Sequence, residues 1–246
     1  MTPLDTKALS KKMTELPQTL DEAIAQAREA TQAAIAAGYS RLQVELVFPE
    51  LKPMPVAEQF ITLFADLGSK LKVYFPDAGA AALAKRDWGT VPFEIRGIGE
   101  KLAPIQPEDQ AFVLVAPSDV EVSKVEKMCE AAGDRPCILL NPQLQNVAIV
   151  GVGYAGRQLR KRFLNTIETC YYLKPLENGA ILRAYPSPWQ IWRQKAEGDY
   201  ELIAEEAEKP LGDRLEQIFA QLTQAEKPQK QGLLAQLQSF LRTLSP

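Results

Sequence analysis

Apolar residues recur along the chain with two different periods, and the alternation of these periods predicts the order of secondary structure. Residues 41–48 alternate in polarity and are rich in branched side chains, which predicts a β-strand. Residues 111–116 and 136–140 are continuously apolar, as in strands buried on both faces of a sheet. Residues 56–64 instead follow helical spacing. This alternation predicts an α/β fold: a mostly parallel sheet with helices on both faces, in a Rossmann-like three-layer arrangement.

Capping residues mark the ends of several predicted helices. Thr19 and Glu22 have the spacing of a capping box, and Gly38 suits the C-terminal end of the same helix. Asp77 suits the N-cap of another helix, and residues 118–121 form a second capping-box pattern. These positions divide the first half of the chain into alternating strands and helices.

The pattern changes after a basic helix that the sequence predicts over residues 153–169. The following strand-like runs are joined by short turns, and Asn178-Gly179 is typical of a β-hairpin. We therefore expect an antiparallel C-terminal hairpin extension of the sheet. The runs are residues 170–176, 180–185 with 190–193, and 200–204.

One α/β domain over residues 19–222 accounts for this pattern. Residues 1–18 are polar and contain two prolines, which predicts a flexible N-terminal arm. Residues 223–246 begin as a polar linker and end in an amphipathic helix.

Composition excludes several classes of function. The chain has 246 residues, a net charge of −3 and no histidine, so catalysis and metal binding by histidine are excluded. The lack of a basic excess argues against nucleic-acid binding. The three cysteines form no CxxC motif, and we expect small buried thiols in a reducing compartment. No apolar run is long enough to span a bilayer and no signal peptide is recognisable, so a cytoplasmic protein is expected, with peripheral contact to a membrane left open.

Gly151, Gly153 and Gly156 form a GxGxxG motif between a strand-like run and a helix, which is the context of a dinucleotide-binding turn. The acidic residue expected about 20 positions later is replaced by Tyr171 and Tyr172. We therefore expect a tight strand-to-helix turn and no cofactor, with NAD, FAD or another nucleotide as the weaker alternative.

The helix after this turn carries four cations: Arg157, Arg160, Lys161 and Arg162. Cations close to the positive end of a helix are unfavourable without an anion, which is consistent with a docking surface for an acidic protein, a phosphate or an anionic lipid. The alternative is a solvated or internally salt-bridged face.

Two further sets of residues are candidate sites. In an open α/β sheet, ligands bind at the carboxyl ends of the strands. A ligand crevice there would include Asp77, Gly79, Lys85, Asn141 and the glycine turn. The alternative is that Asp77 is only an N-cap and Asn141 only satisfies a turn. Trp189 and Trp192 would be interface anchors on an exposed edge, but their odd separation places at least one in the core. No catalytic residue and no metal site is predicted.

Long segments of the chain carry a family resemblance. They are LPQTLDEAIAQAREATQAAIAAG, RLQVELVFPELKPMPVAEQF, FPDAGAAALAKRDWG, VLVAPSDVEV, RPCILLNPQLQ, GVGYAGRQLRKRFLNTIETCYYLKPL and AYPSPWQIWRQ. Together they resemble an uncharacterised domain family of cyanobacteria and chloroplasts. That family includes the low photosystem II accumulation assembly factors and a domain fused to a plastid adenylate kinase.

The resemblance implies a non-catalytic accessory or assembly factor for photosynthetic membrane complexes, acting in photosystem II biogenesis. It implies protein partners such as photosystem subunits or assembly intermediates, and a peripheral position at the thylakoid membrane. The alternative function is a nucleotide- or phosphate-metabolite-binding α/β enzyme that uses the crevice.

Overall fold

The computed structural model describes residues 15–100, 105–144, 154–195 and 199–225. The helices in these ranges are α1 (Leu20–Ala36), α2 (Pro53–Ile61), α3 (Ala78–Trp88), α4 (Val122–Ala132), α5 (Tyr154–Arg162) and α6 (Gly212–Ala225). The strands are β1 (Arg41–Leu46), β2 (Leu71–Phe75), β3 (Glu94–Gly97), β4 (Ala111–Val115), β5 (Cys137–Leu140), β6 (Glu168–Leu176), β7 (Gly179–Ala184), β8 (Trp189–Gln194) and β9 (Tyr200–Glu206).

The strands form one sheet in the order β3-β2-β4-β5-β1-β6-β7-β8-β9. Every pairing from β3 to β6 is parallel, and β6-β7 and β7-β8 are antiparallel. The predicted α/β fold with an antiparallel C-terminal hairpin region is therefore confirmed. A bulge between Gln43 and Val44 shifts the register of β1 against β6.

Helices cover the two faces of the sheet, and the sheet separates two apolar cores. The central strand β4 shows why: Val113 points into one core, and Phe112 and Leu114 point into the other, because successive side chains alternate across a strand. The first core receives α1, α2 and α3, and the second receives α4 and α5. All five residues of β4 are buried, as its continuous apolar run predicts.

The predicted N-caps at Thr19 and Asp77 are confirmed, but the capping box predicted at Thr19 does not close, because Glu22 accepts from the residue before the N-cap. The backbone N–H of Glu22 donates to the Thr19 hydroxyl at 3.1 Å, and the Glu22 carboxylate accepts from the N–H of Gln18. Gly38 follows α1 with a φ of +93°, a conformation that glycine adopts at little cost. The Asp77 carboxylate accepts from the N–H of Ala80 at 2.9 Å and caps α3.

The basic helix is shorter than predicted. It ends at Arg162, residues 164–166 form a 3₁₀ turn, and β6 begins at Glu168. The helix ends because Phe163 leaves helical geometry and its carbonyl accepts from both the N–H and the hydroxyl of Thr166. Strand β6 then takes up pairing with β1. The strand-like run before the glycine turn (residues 146–152) and the C-terminal amphipathic helix, which the sequence predicts over residues 228–244, lie outside the described residues.

The packed part of the chain begins before Thr19. Leu16 is buried in the first core, and the Gln26 side chain donates to the Glu15 carbonyl at 2.9 Å. The chain divides into two compact units, Met1–Glu205 and Glu206–Pro246. Within the second unit, Arg214 Nε of α6 donates to Glu206 Oε1 at 2.9 Å. Among the described helices, none has the length and apolar character needed to cross a membrane.

A buried thiol and a buried phenol, on Cys170 and Tyr74, predict that the protein loses stability at alkaline pH. Burial raises the pKa of the Cys170 thiol to about 12, and burial together with the negative charge of Asp109 raises the pKa of Tyr74 to about 12. Above about pH 9 the unfolded chain releases the Cys170 proton while the folded chain retains it, so stability falls by about 1.4 kcal/mol per pH unit until the folded pKa is reached. Urea unfolding at about pH 8 and about pH 10.5 measures this loss. Cys170→Ala should reduce it, and a stability that is flat over this interval would contradict the burial of these groups.

Candidate functional site

Helix α5 separates its apolar and its basic side chains onto opposite faces. The residues at the apolar positions are buried in or near the second core, and those at the basic positions are exposed. The buried residues are Gly156, Leu159 and Phe163, and the exposed cations on the outer face are Arg157, Arg160 and Lys161. Spacings of three and four residues place each set on one side of the helix. We call the three exposed cations the α5 basic face.

Arg162 has a different role from the other three cations. Its Nε and Nη2 donate to the two carboxylate oxygens of Glu126 on α4, at 2.6 and 2.9 Å. Glu126 is 8% exposed, and the Arg162 hydrogen bonds lower the pKa of its carboxyl. The internally salt-bridged interpretation therefore holds for Arg162, which joins α5 to α4. By contrast, Arg160 and Lys161 form no ion pair with any other residue in the described part of the chain.

Sequence reasoning missed Glu126 as the partner of Arg162. Its signal was present, because Glu126 lies on the apolar stripe of α4 between Val125 and Cys129. A carboxylate at such a position is buried on folding and needs a cationic partner. Which of the four cations would supply it depends on how α5 lies against α4.

The helix-dipole argument for an anion at these cations is wrong. Because α5 ends at Arg162, the residues Arg160, Lys161 and Arg162 lie in its last turn, where the negative end of the dipole favours cations. Arg157 is the cation near the N-terminal end. The cations of the basic face therefore need no bound anion for the helix to be stable, and the case for a docking surface rests on their exposure and charge.

The two tryptophans of β8 are buried on opposite faces of the sheet. Trp192 packs into the first core, and the Trp189 ring lies 5.2 Å from the ring of Tyr172 on the other face. Their exposed fractions are 8% and 7%. The expectation that at least one lies in the core is confirmed, and neither ring forms an exposed anchor.

The carboxyl ends of β1 and β5 border a cavity of about 280 Å³ that Asn141 lines. Asn141 adopts a φ of +49°, and its side-chain oxygen accepts from the N–H of Leu46 at 2.7 Å. Its own N–H donates to the Val44 carbonyl at 2.7 Å. Asparagine tolerates this left-handed conformation better than most residues. Asn141 thus joins the ends of two neighbouring strands, which is the turn-satisfying role given as its alternative.

The other residues of the predicted crevice are not gathered around this cavity. Asp77 caps α3, and Lys85 is in the last turn at the other end of that helix. A Cβ at Gly97 would lie 2.7 Å from the Ala78 nitrogen, so backbone of the β3 end approaches the α3 N-terminus closely. Gly79 lies in the first turn of α3 and Gly156 lies within α5. Gly151 and Gly153 lie outside the described residues.

A family model described as a domain of unknown function, DUF1995, matches residues 17–217, most of the chain. The chain belongs to the DUF1995 family. The matched range contains the sheet, the Asn141 cavity and the α5 basic face. The resemblance seen in the sequence is therefore confirmed at the level of an uncharacterised domain family.

The three cysteines of this DUF1995 domain are all free and buried, as predicted. Cys170 donates to the Gln43 carbonyl at 3.3 Å and lies 3.5 Å from the Thr31 hydroxyl. Burial raises its pKa to about 12, so its thiolate is scarce at neutral pH. Cys170 is therefore a structural residue of the DUF1995 core and a poor nucleophile.

Proposed function

We propose that this DUF1995 protein is a non-catalytic accessory protein that docks on an acidic protein surface through the α5 basic face. The observation that carries the proposal is the concentration of three exposed cations on one side of a helix whose opposite side is packed on the sheet. The chain as a whole is acidic, with a net charge of −3. A local positive face on a negative protein orients it toward an acidic partner during encounter.

The packing of α5 makes this face a rigid one. Leu159 and Phe163 pack the helix against the second core, and the Arg162–Glu126 ion pair joins it to α4. The three cations therefore project from a fixed element instead of a loop. A rigid face loses less conformational entropy on binding than a flexible segment would.

The partner we propose is a photosystem subunit or an assembly intermediate, and the process is photosystem II biogenesis. This part of the proposal is supported by the resemblance of long segments to the low photosystem II accumulation factors, including the segment that forms α5 and β6. Docking on such a complex would place the protein peripherally at the thylakoid membrane. The partner and the process are proposed from family likeness alone, whereas the docking face is proposed from the geometry of this chain.

Charge reversal of the basic face tests the proposal. The variant Arg157→Glu, Arg160→Glu, Lys161→Glu should lose at least about tenfold of its recovery with partner proteins, because each interfacial charge contact becomes repulsive. Arg162 is left intact so that its bond to Glu126 is kept. The matched control reverses three exposed cations elsewhere, Lys52, Lys70 and Lys85, and produces the same change in net charge.

The measurement is affinity purification of each tagged variant from gently solubilised cyanobacterial cells, with mass spectrometry of the co-purified proteins. We expect photosystem subunits with the wild type and the control, and their loss with the α5 variant. Equal recovery with all three proteins would overturn the docking proposal. Flotation with anionic lipid vesicles separates the lipid alternative: loss of vesicle binding alone, with partner proteins retained, would show that the basic face serves a membrane surface.

A further inference from the structure

Two of the three cysteines lie side by side at the junction of α4 and β5. The Sγ atoms of Cys129 and Cys137 are 3.2 Å apart. Cys129 points inward from the last turns of α4, and Cys137 is the first residue of β5. Their exposed fractions are 0% and 1%. The third thiol, on Cys170, lies in the other core, beside Thr31 of α1.

A short turn brings these two thiols together. Residues 133–136 connect the helix to the strand, and Gly133 adopts a φ of +63° that permits the sharp reversal. A disulfide bond has an S–S length of about 2.05 Å, so the two sulfurs need to approach by about 1.2 Å. Closing this gap requires rotation of the two side chains and a shift of the α4 end.

From this geometry we infer that Cys129 and Cys137 are a redox-active dithiol that closes to an intramolecular disulfide when the protein meets a peroxide. One thiolate attacks a peroxide oxygen and becomes a sulfenic acid, while the peroxide leaves as water or alcohol. The second thiol then attacks the sulfenic sulfur, forms the S–S bond and releases water. The pair loses two electrons and two protons, and the peroxide gains them. The inference stands independently of the docking face.

Burial determines the rate of this reaction. The hydrogen bond with Cys129 and the loss of solvent raise the pKa of the Cys137 thiol, so little thiolate is present at neutral pH. Oxidation therefore proceeds through brief opening of the α4 end. It should be slow at neutral pH and faster as the pH rises. Once formed, the disulfide is shielded from exchange by the same burial.

Peptide mapping of the full-length wild-type protein tests the inference without any substitution. The protein is treated with hydrogen peroxide under conditions in which its circular dichroism is unchanged, alkylated after unfolding, and cleaved after Glu130. That cleavage separates the two cysteines along the chain. We expect fragments that stay joined without reductant and separate with it, and one alkylated cysteine per chain, Cys170.

Substitutions provide the matched controls. Cys170→Ser removes an equally buried thiol and should leave the cross-link intact, whereas Cys129→Ser and Cys137→Ser should each abolish it. Three alkylated cysteines in the peroxide-treated wild type would overturn the inference. Cross-links that include Cys170 would also overturn it, because they would show pairing by scrambling of an unfolded chain.

Discussion

Replacement of Phe163 by alanine should lower the free energy of unfolding by about 3–5 kcal/mol, because it leaves a large cavity under α5. The Phe163 side chain is 1% exposed and belongs to the second core with Phe112 and Leu139. The residue also marks the end of the helix. Its N–H still donates to the Leu159 carbonyl four residues back, but its own carbonyl accepts from Thr166, only three residues ahead. Chemical denaturation of wild type and variant measures the difference.

Two controls separate the cavity from other effects. Phe163→Leu fills most of the space and should cost clearly less than the alanine variant. Gln158→Ala lies on the exposed side of the same helix and should change stability by less than about 0.5 kcal/mol. A Phe163→Ala variant within about 1 kcal/mol of wild type would contradict the packing of α5 on the sheet. Without that packing, the cations of the basic face would no longer have a fixed arrangement.

Replacement of Arg135 by methionine should lower the free energy of unfolding by about 3 kcal/mol, because it leaves several backbone carbonyls without their donor. The guanidinium donates to the carbonyls of Ala131 and Ala132 at the end of α4 and of Gln106 and Asp109 before β4. It also lies 5.1 Å from the centre of the Phe112 ring. One side chain thus joins the turn after α4 to the segment that leads into β4.

Arg135→Lys is the informative control for this site. Lysine keeps the positive charge near the Phe112 ring but lacks the planar fork that reaches carbonyls on two segments. We expect about half of the methionine effect. A methionine variant as stable as wild type would show that the carbonyls are equally well satisfied by water. Urea unfolding monitored by tryptophan fluorescence measures all three proteins.

The strands and caps of this chain follow from local physical rules and were predictable. Continuous apolar runs predicted β4 and β5, and the capping patterns at Thr19, Asp77 and Ser118 predicted the starts of helices. Such signals act over a few residues, so they do not depend on the rest of the fold. The end of α5 was predicted seven residues too far, because the pairing of β6 with β1 overrides local helical preference there.

The candidate site was only partly predictable. The cations of α5 are evident in the sequence, but the pattern does not distinguish Arg162 from the other three, because its partner Glu126 lies 36 residues away. The rule for open sheets predicts one crevice for Asp77, Lys85 and Asn141, but the strand order puts β4 between β2 and β5. Sequence proximity carries no information about the order of strands across a sheet.

The division between local and long-range determinants is clear at the thiols and the tryptophans. Apolar neighbours and alternation along a strand are enough to predict that Cys137 is buried and that Trp189 and Trp192 point to opposite sides. Neither pattern reveals that Cys129 and Cys137 touch, or that both indole rings are covered. Most strands, helix starts and one-sided burial follow from interactions along the chain, whereas the end of α5 depends on the pairing of β6 with β1. Contacts between elements depend on strand order and helix placement, which arise from the packing of the whole chain at once.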